Sequence, residues 1–559
     1  MKRAITPAVV ALSTALAISA CNANPSSDDS SSAGSKPEAT AKGGTLTIYN
    51  SSSELSFEPA KSQSLAITSL GLVHRRLTTW DIKPGQQPKV VPDLATTTGT
   101  PSDGGKTWTF TLKDGLKFSN GQPITSADIK YGIERSFAPE LSGGLGYHKA
   151  LLTGAASYKG PYKGQQLPSI ATPNAKTIVF HLNVPYGDWP WIASMGAFSP
   201  VPKAADTTPA SYGNKPVASG PYEVENYKQG TSLTLKRNPQ WSTKTDSVRL
   251  GGPDKIVYKL SQDESVAAQS LIADSGEART AFGSGFVPPA QLKQITSNPS
   301  AKSRLALSNP GALAYLAINT KHGKLADKRV RQAITYAVDK KAFQLAVGGA
   351  QGGAPATTLI TPGIPGRQAY DLYPAPETGD VTKAKGLLKS AGATNLNLKL
   401  ITSNKPSDVA KAEAIQQGLK RAGITVTIKP LEEENTADAQ TDDKGDYDLT
   451  VGSWQPDFPS ANGNIQPLFD SSQIGGGNYN LSRYSNPAVD ALIKQATGEI
   501  DPAKAGAIWA KADKLILQDA PVVPLIYTRN AFLRGSGVSN FDVSGFPNYP
   551  NYLRVSLTK

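Results

Sequence analysis

An α/β chain with an antiparallel-rich insertion in its first half is the architecture the sequence predicts, and three observations carry that prediction. Leu396 to Thr402, Asp408 to Ala422 and Ile424 to Ile428 read in turn as strand, helix and strand with short joints, the pattern of a parallel crossover unit. Thr107 to Leu112 alternates strictly and places Trp108, Phe110 and Leu112 on one face, as an antiparallel strand does. The 559 residues, 38% apolar and 18% charged, are globular in composition and too many for one hydrophobic core.

At the amino terminus, Lys2 and Arg3 precede an apolar stretch from Ala4 to Ala20. A charged start, a short apolar core and small residues before a cleavage point describe an export signal. The stretch falls short of the about 20 apolar residues that cross a bilayer. Ile18-Ser19-Ala20-Cys21 is similar to the lipobox of bacterial lipoproteins, with Ile18 where Leu is commoner. That resemblance implies that residues 1–21 are a lipoprotein signal and that the Cys21 thiol is acylated and becomes the mature N-terminus. The alternative is a plain secretory signal with an incidental cysteine. Cys21 is the only cysteine, so an intramolecular disulfide is excluded.

Residues 22–43 are rich in Ser, Asp, Ala, Gly and Pro and bury too little apolar surface to offset chain entropy, so they read as a flexible tether. Ordered structure begins with the alternating strand Thr45 to Tyr49. After Thr107 to Leu112, Asp114-Gly115 predicts a tight turn and a hairpin onto Leu116-Lys117-Phe118. Thr125 then caps a helix, with Asp128 three residues on and Ile129, Ile133 and Phe137 on one face. Gly220-Pro221 reads as a turn that launches a strand, and Asp327 as the cap of a helix whose Val330, Ile334 and Val338 are core. Tyr447 to Val451 predicts a strand, Asp501-Pro502 opens a late helix, and Val522 to Tyr527 reads as a buried strand.

Catalytic patterns are missing. The four histidines, His74, His148, His181 and His322, show no metal-ligand spacing, and there is no His-Glu-x-x-His, Cys-x-x-Cys or Gly-x-Ser-x-Gly. Gly105-Lys106-Thr107 lacks both the upstream glycine and the following helix of a phosphate loop. Neither a cofactor nor a metal is expected, and His74, in the apolar run Leu70 to Leu77, reads as a packed or rim residue. The formal net charge is +13, but Lys and Arg are dispersed with no run of five, which speaks against nucleic acid.

Several segments together resemble the peptide-type (family 5) solute-binding proteins of ABC importers. They run from Val91-Pro92-Asp93-Leu94-Ala95 through Gly105-Lys106-Thr107-Trp108-Thr109-Phe110 and Lys117-Phe118-Ser119-Asn120-Gly121 to Ile124-Thr125-Ser126-Ala127-Asp128-Ile129. Ser219-Gly220-Pro221-Tyr222, Leu316-Ala317-Ile318-Asn319-Thr320, Arg329-Val330-Arg331-Gln332-Ala333, Tyr484-Ser485-Asn486-Pro487 and Ala520-Pro521 follow in order. The resemblance implies a two-lobe periplasmic-binding-protein-like fold (type II, cluster C-like) with a split first lobe and an extra subdomain. Lobe I would take residues 44–88, 205–305 and 528–559, the inserted subdomain residues 89–204, and lobe II residues 306–527. It also implies a monomer with no catalytic activity that hands a small solute, a peptide by this likeness, to permease subunits and their ATPase. Its place would be the extracytoplasmic face of the bacterial cell membrane, held by the lipid.

The site expected from the likeness lies in Gly452-Ser453-Trp454-Gln455-Pro456-Asp457-Phe458-Pro459, at a strand end where ligands of open sheets sit. In peptide-binding relatives the aspartate of the Trp-x-x-Asp pattern holds the ligand ammonium. Carried over, this is Asp457, whose other reading is a loop stabiliser. Trp454 either walls the cleft or packs. Backbone groups at Ser453 and Gln455, and at Ser52, Ser53 and Glu54 after the first strand, would pair with an extended peptide. Arg367 is a candidate for the peptide carboxylate by loop position only. The rivals are the same fold with a metal chelate, a sugar or an antibiotic-like compound, and an extracytoplasmic hydrolase or transpeptidase.

Overall fold

The computed structural model describes residues 43–558, so the export signal and the Cys21 motif, with nearly all of the tether, lie outside the described residues. Three sheets organise the rest. The first has five strands in the order Ala281–Gly283, Thr45–Tyr49, Lys255–Lys259, Ser232–Arg237 and Tyr222–Lys228, with Thr45–Tyr49 parallel to both neighbours. The second is a four-stranded antiparallel sheet within residues 100–181, between the two stretches of chain that build the first.

The third sheet has six strands in the order Gly353–Pro355, Val522–Thr528, Ala312–Ile318, Leu449–Trp454, Asn397–Ser403 and Thr425–Leu431. Its crossover is the expected one. Asn397–Ser403 runs parallel to Thr425–Leu431, joined by the helix Pro406–Arg421. The strand Ala312–Ile318 is buried on both faces, which is why it reads as an unbroken apolar run rather than an alternating one. Leu313, Tyr315 and Ala317 enter the core shared with the other two sheets, while Ala314, Leu316 and Ile318 enter a core of their own sheet and its helices.

Local signals place the helices. Thr125 N–H donates to Asp128 Oδ2 at 2.8 Å at the start of Ser126–Arg135, a capping box that holds the first turn. Asp327 accepts from the Arg329 amide, and Val330, Ile334 and Val338 are buried as their spacing requires. Asp501 accepts from the Ala503 and Lys504 amides, and Pro502 opens the long helix to Asp519. His74 is buried, its Nε2 3.0 Å from the Phe57 carbonyl, and burial lowers its pKa to about 3.

Two expectations are corrected. No hairpin forms across Asp114-Gly115: Thr107–Thr111 lies between Thr100–Ser102 and Thr177–His181. The distant strand offers a matching apolar face, with Phe180 opposite Trp108 and Ile178 opposite Phe110, which the short Leu116–Phe118 segment does not. The strand expected to end at Val451 continues to Trp454, because Ala312–Ile318 pairs with it as far as Leu313 opposite Trp454.

A buried cation ties the insertion to the first sheet's chain. Arg135 Nη1 lies 2.8 Å from Glu58 Oε1 and its Nε 2.6 Å from Asp206 Oδ2, all three side chains being at most 5% exposed. Removing the guanidinium strands two carboxylates away from water. Arg135→Ala should therefore cost about 3–5 kcal/mol in urea unfolding; a loss under about 1 kcal/mol would show that the cluster is solvated.

Candidate functional site

Leu449–Trp454 is flanked unequally. Ala312–Ile318 pairs along its whole length, whereas Asn397–Ser403 meets it only at Leu449 and Thr450. From Val451 to Trp454 one edge of the strand has no strand neighbour. The Asn319 amide donates to the Asp448 carbonyl, so by the alternation of antiparallel pairing Thr450, Gly452 and Trp454 bond to Ala312–Ile318. Val451 and Ser453 then turn their backbone groups to the open edge, where Gln440 Nε2 reaches the Val451 carbonyl at 3.4 Å.

Three hollows follow this edge. One of about 340 Å³ and one of about 360 Å³ share Val451, Gly452, Ser453 and Gln440. The third, about 350 Å³, joins the second at Gln63, Gln455 and Asp457. Gly452 is required by its neighbour, since a Cβ there would lie 2.4 Å from the Tyr315 ring. Ser453, Trp454, Gln455 and Asp457 all line the second hollow. Trp454 both walls and packs: its indole N–H donates to the Gly463 carbonyl at 2.6 Å and its ring lies 5.1 Å from Tyr479. Gln455 Nε2 donates to the Pro547 carbonyl.

Asp457 is half-buried where the second and third hollows meet. Its Oδ2 accepts from the Tyr147 hydroxyl at 2.8 Å. Among the described residues no cation lies within ion-pair distance of it. Burial raises the carboxyl above its usual range, and the Tyr147 bond pulls it partly back. Burial and the nearby Asp457 push the Tyr147 hydroxyl well above its ordinary value, so it stays protonated and donates. The same insertion grips the loop again further on. Ser460 Oγ and Asn462 Nδ2 donate to Asp188 Oδ2 at 2.9 and 3.1 Å, and burial pushes that carboxyl up to about 6.

Ser52, Ser53 and Glu54 stand apart. They are exposed and hold neighbouring turns: Ser52 and Ser53 carbonyls accept from the Ser261 and Gly230 amides, and Gln229 Nε2 donates to Glu54. None of them lines the hollows at Asp457; the segment Gln63–Thr68 reaches that place instead. Arg367 is a brace, its Nε donating to the Ile360 carbonyl and its guanidinium lying 5.4 Å from the Tyr527 ring. Among the described residues no group of three His, Cys, Asp or Glu side chains is placed to hold a metal ion.

The family model of bacterial extracellular solute-binding proteins, family 5, matches residues 89–476. The chain belongs to this family. The family 5 chain is 26% identical over 451 residues to the glutathione-binding protein GsiB of Escherichia coli (strain K12), covering 79% of this chain and 81% of that one. It is 24% identical to the dipeptide-binding protein DppE of Bacillus subtilis (strain 168), over 97% and 96% of the two chains. A solved structure, clavulanic acid biosynthesis oligopeptide binding protein 2, superposes with a TM-score of 0.85 at 31% identity, over 94% of this chain and 97% of that one. The mixed α/β architecture is thus the periplasmic-binding-protein fold, and a non-enzymatic, extracytoplasmic solute-binding role belongs to it.

Two parts of the candidate site escape sequence reasoning. Tyr147 lies 310 positions from its partner, and no local pattern links them. Tyr479 sits after three glycines in what reads as an ordinary loop. The Tyr147 bond is testable: Tyr147→Phe removes the donor that stabilises the ionised carboxylate, so the Asp457 pKa should rise in a carboxyl-carbon NMR titration. An unchanged or lower value would show that the hydroxyl donates elsewhere.

Proposed function

We propose that this solute-binding protein captures short peptides, pairing the peptide's α-ammonium with Asp457 and its main chain with the open edge at Val451 and Ser453. The observation that carries the reading is a half-buried carboxylate with one neutral donor and no cation, placed where two hollows meet along an unpaired strand edge. In such a place a charge-assisted bond is stronger than in water, and a ligand lacking the ammonium leaves the carboxylate unpaired. Edge pairing supplies affinity through main-chain bonds, and roomy hollows tolerate varied side chains. The names of the relatives, which speak of dipeptides and of glutathione, support a cargo of this size.

Lobe I (residues 44–88, 205–305 and 528–559) and lobe II (residues 306–527) close on the solute, with residues 89–204 carrying Tyr147 and Asp188 against the ligand loop. The strand make-up of the three sheets supports this division. The closed protein docks as a monomer on permease subunits driven by an ATPase. A lipid on Cys21 holds it at the extracytoplasmic face of the cell membrane, with residues 22–43 as the tether. No helix among the described residues is long and apolar enough to cross a membrane.

Asp457→Ala should weaken binding of free-amine peptides at least tenfold while leaving the N-acetylated forms nearly unaffected, as read by titration calorimetry. Equal losses for both forms would remove the ammonium role. Separately, Cys21→Ser should move the protein from the membrane to the soluble fraction of expressing cells; continued retention would mean a different anchor.

A further inference from the structure

The hollows along the strand edge differ in charge from the rest of the molecule. The whole chain carries a formal net charge of +13. Yet among the described residues Asp457 is the sole charged side chain lining the two hollows that meet at it. The hollow beyond Ser453 is lined by Asp408, Glu433 and Lys411, with Lys411 Nζ already 2.8 Å from Asp408 Oδ1. Lys405, outside that lining, reaches Glu433 at 2.6 Å. Among the described residues Lys411 is thus the one cation lining any of the three hollows, and it is shared with Asp408. The three hollows set three carboxylates, Asp457, Asp408 and Glu433, against one cation, and an excess of one sign in a cleft concentrates ligands of the opposite sign, more strongly as water is excluded.

An aromatic surface lies in the same place. Tyr479 is 51% exposed, unusual for a large side chain held against another ring, and it lines the hollow of Asp457 together with Trp454. The face of such a ring attracts an ammonium or guanidinium. Gly475, Gly476 and Gly477 all take positive φ in the loop that delivers it.

We infer that the ligand is a peptide bearing a basic side chain close to its amino terminus, that side chain lying against Tyr479 and Trp454, and that peptides with acidic side chains are rejected. This rests on the peptide reading of the site. A free α-carboxylate finds Lys411, but a further carboxylate has no cation to meet and would face Asp457.

The test is calorimetric titration of the exported protein, freed of solute, with Ala-Arg-Ala, Ala-Gln-Ala and Ala-Glu-Ala, which share length and termini. The Arg peptide should bind tightest and the Glu peptide weakest, about tenfold apart or more, with the gap narrowing as salt is added. Tyr479→Leu should weaken the Arg peptide about threefold more than the Gln peptide. Equal affinities, or a preference for the Glu peptide, would overturn the inference and leave peptide capture standing. Binding of none of the three would overturn peptide capture, and this inference with it.

Discussion

A carboxylate withdrawn from water needs a cation or several donors to replace its hydration. Asp457 has one neutral donor, the Tyr147 hydroxyl, and burial accordingly raises its pKa. The arrangement is poor as a device for stability and good as one for recognition. The proposed function gives the missing partner's place to the ligand's ammonium. The donor comes from the stretch of chain between the first-sheet strands Thr45–Tyr49 and Tyr222–Lys228, and so does Asp188, which accepts from Ser460 and Asn462 on the far side of the same loop. The insertion is therefore the wall that fixes the carboxylate, and Arg135 fixes the insertion in turn through Glu58 and Asp206.

The second constraint is the double burial of Ala312–Ile318. A strand apolar on both faces must be covered on both, and its alternate residues feed two separate cores. Leu449–Trp454 hangs on this strand for its whole length, so its last residues stay extended after their other neighbour has ended. The result is an extended edge, met among the described residues only by Gln440 at the Val451 carbonyl, beside the half-buried carboxylate. Gly452 belongs to the same design, because only a residue without a Cβ lets Tyr315 approach so closely.

What was legible in the sequence follows from the range of the interactions. The crossover at 397–431, the Thr125, Asp327 and Asp501 caps and the double burial of the late strand are written in local periodicity and capping, and they appear where expected. The Thr107–Thr111 pairing was missed because its partner is some seventy residues away, while a turn signal lay close at hand. Trp454, Gln455 and Asp457 share one contiguous Trp-x-x-Asp pattern, so sequence can single them out as a group, and the structure sets all three along one hollow. Ser52, Ser53 and Glu54 follow a strand end as ligand loops do, but the chain after Tyr49 folds over adjacent turns and Gln63–Thr68 reaches the cavity instead. Tyr147 opens the short helix Tyr147–Leu151 and Asp188 precedes the helix Trp189–Ile192, both hundreds of residues before the loop, so only three-dimensional packing brings them to it.

The most direct measurement is a crystal structure of the protein with a tripeptide bound. The peptide nitrogen should lie about 3 Å from an Asp457 carboxylate oxygen. The peptide main chain should bond to Val451 or Ser453. A peptide lodged away from that edge, with Asp457 still facing water and no cation beside it, would contradict it.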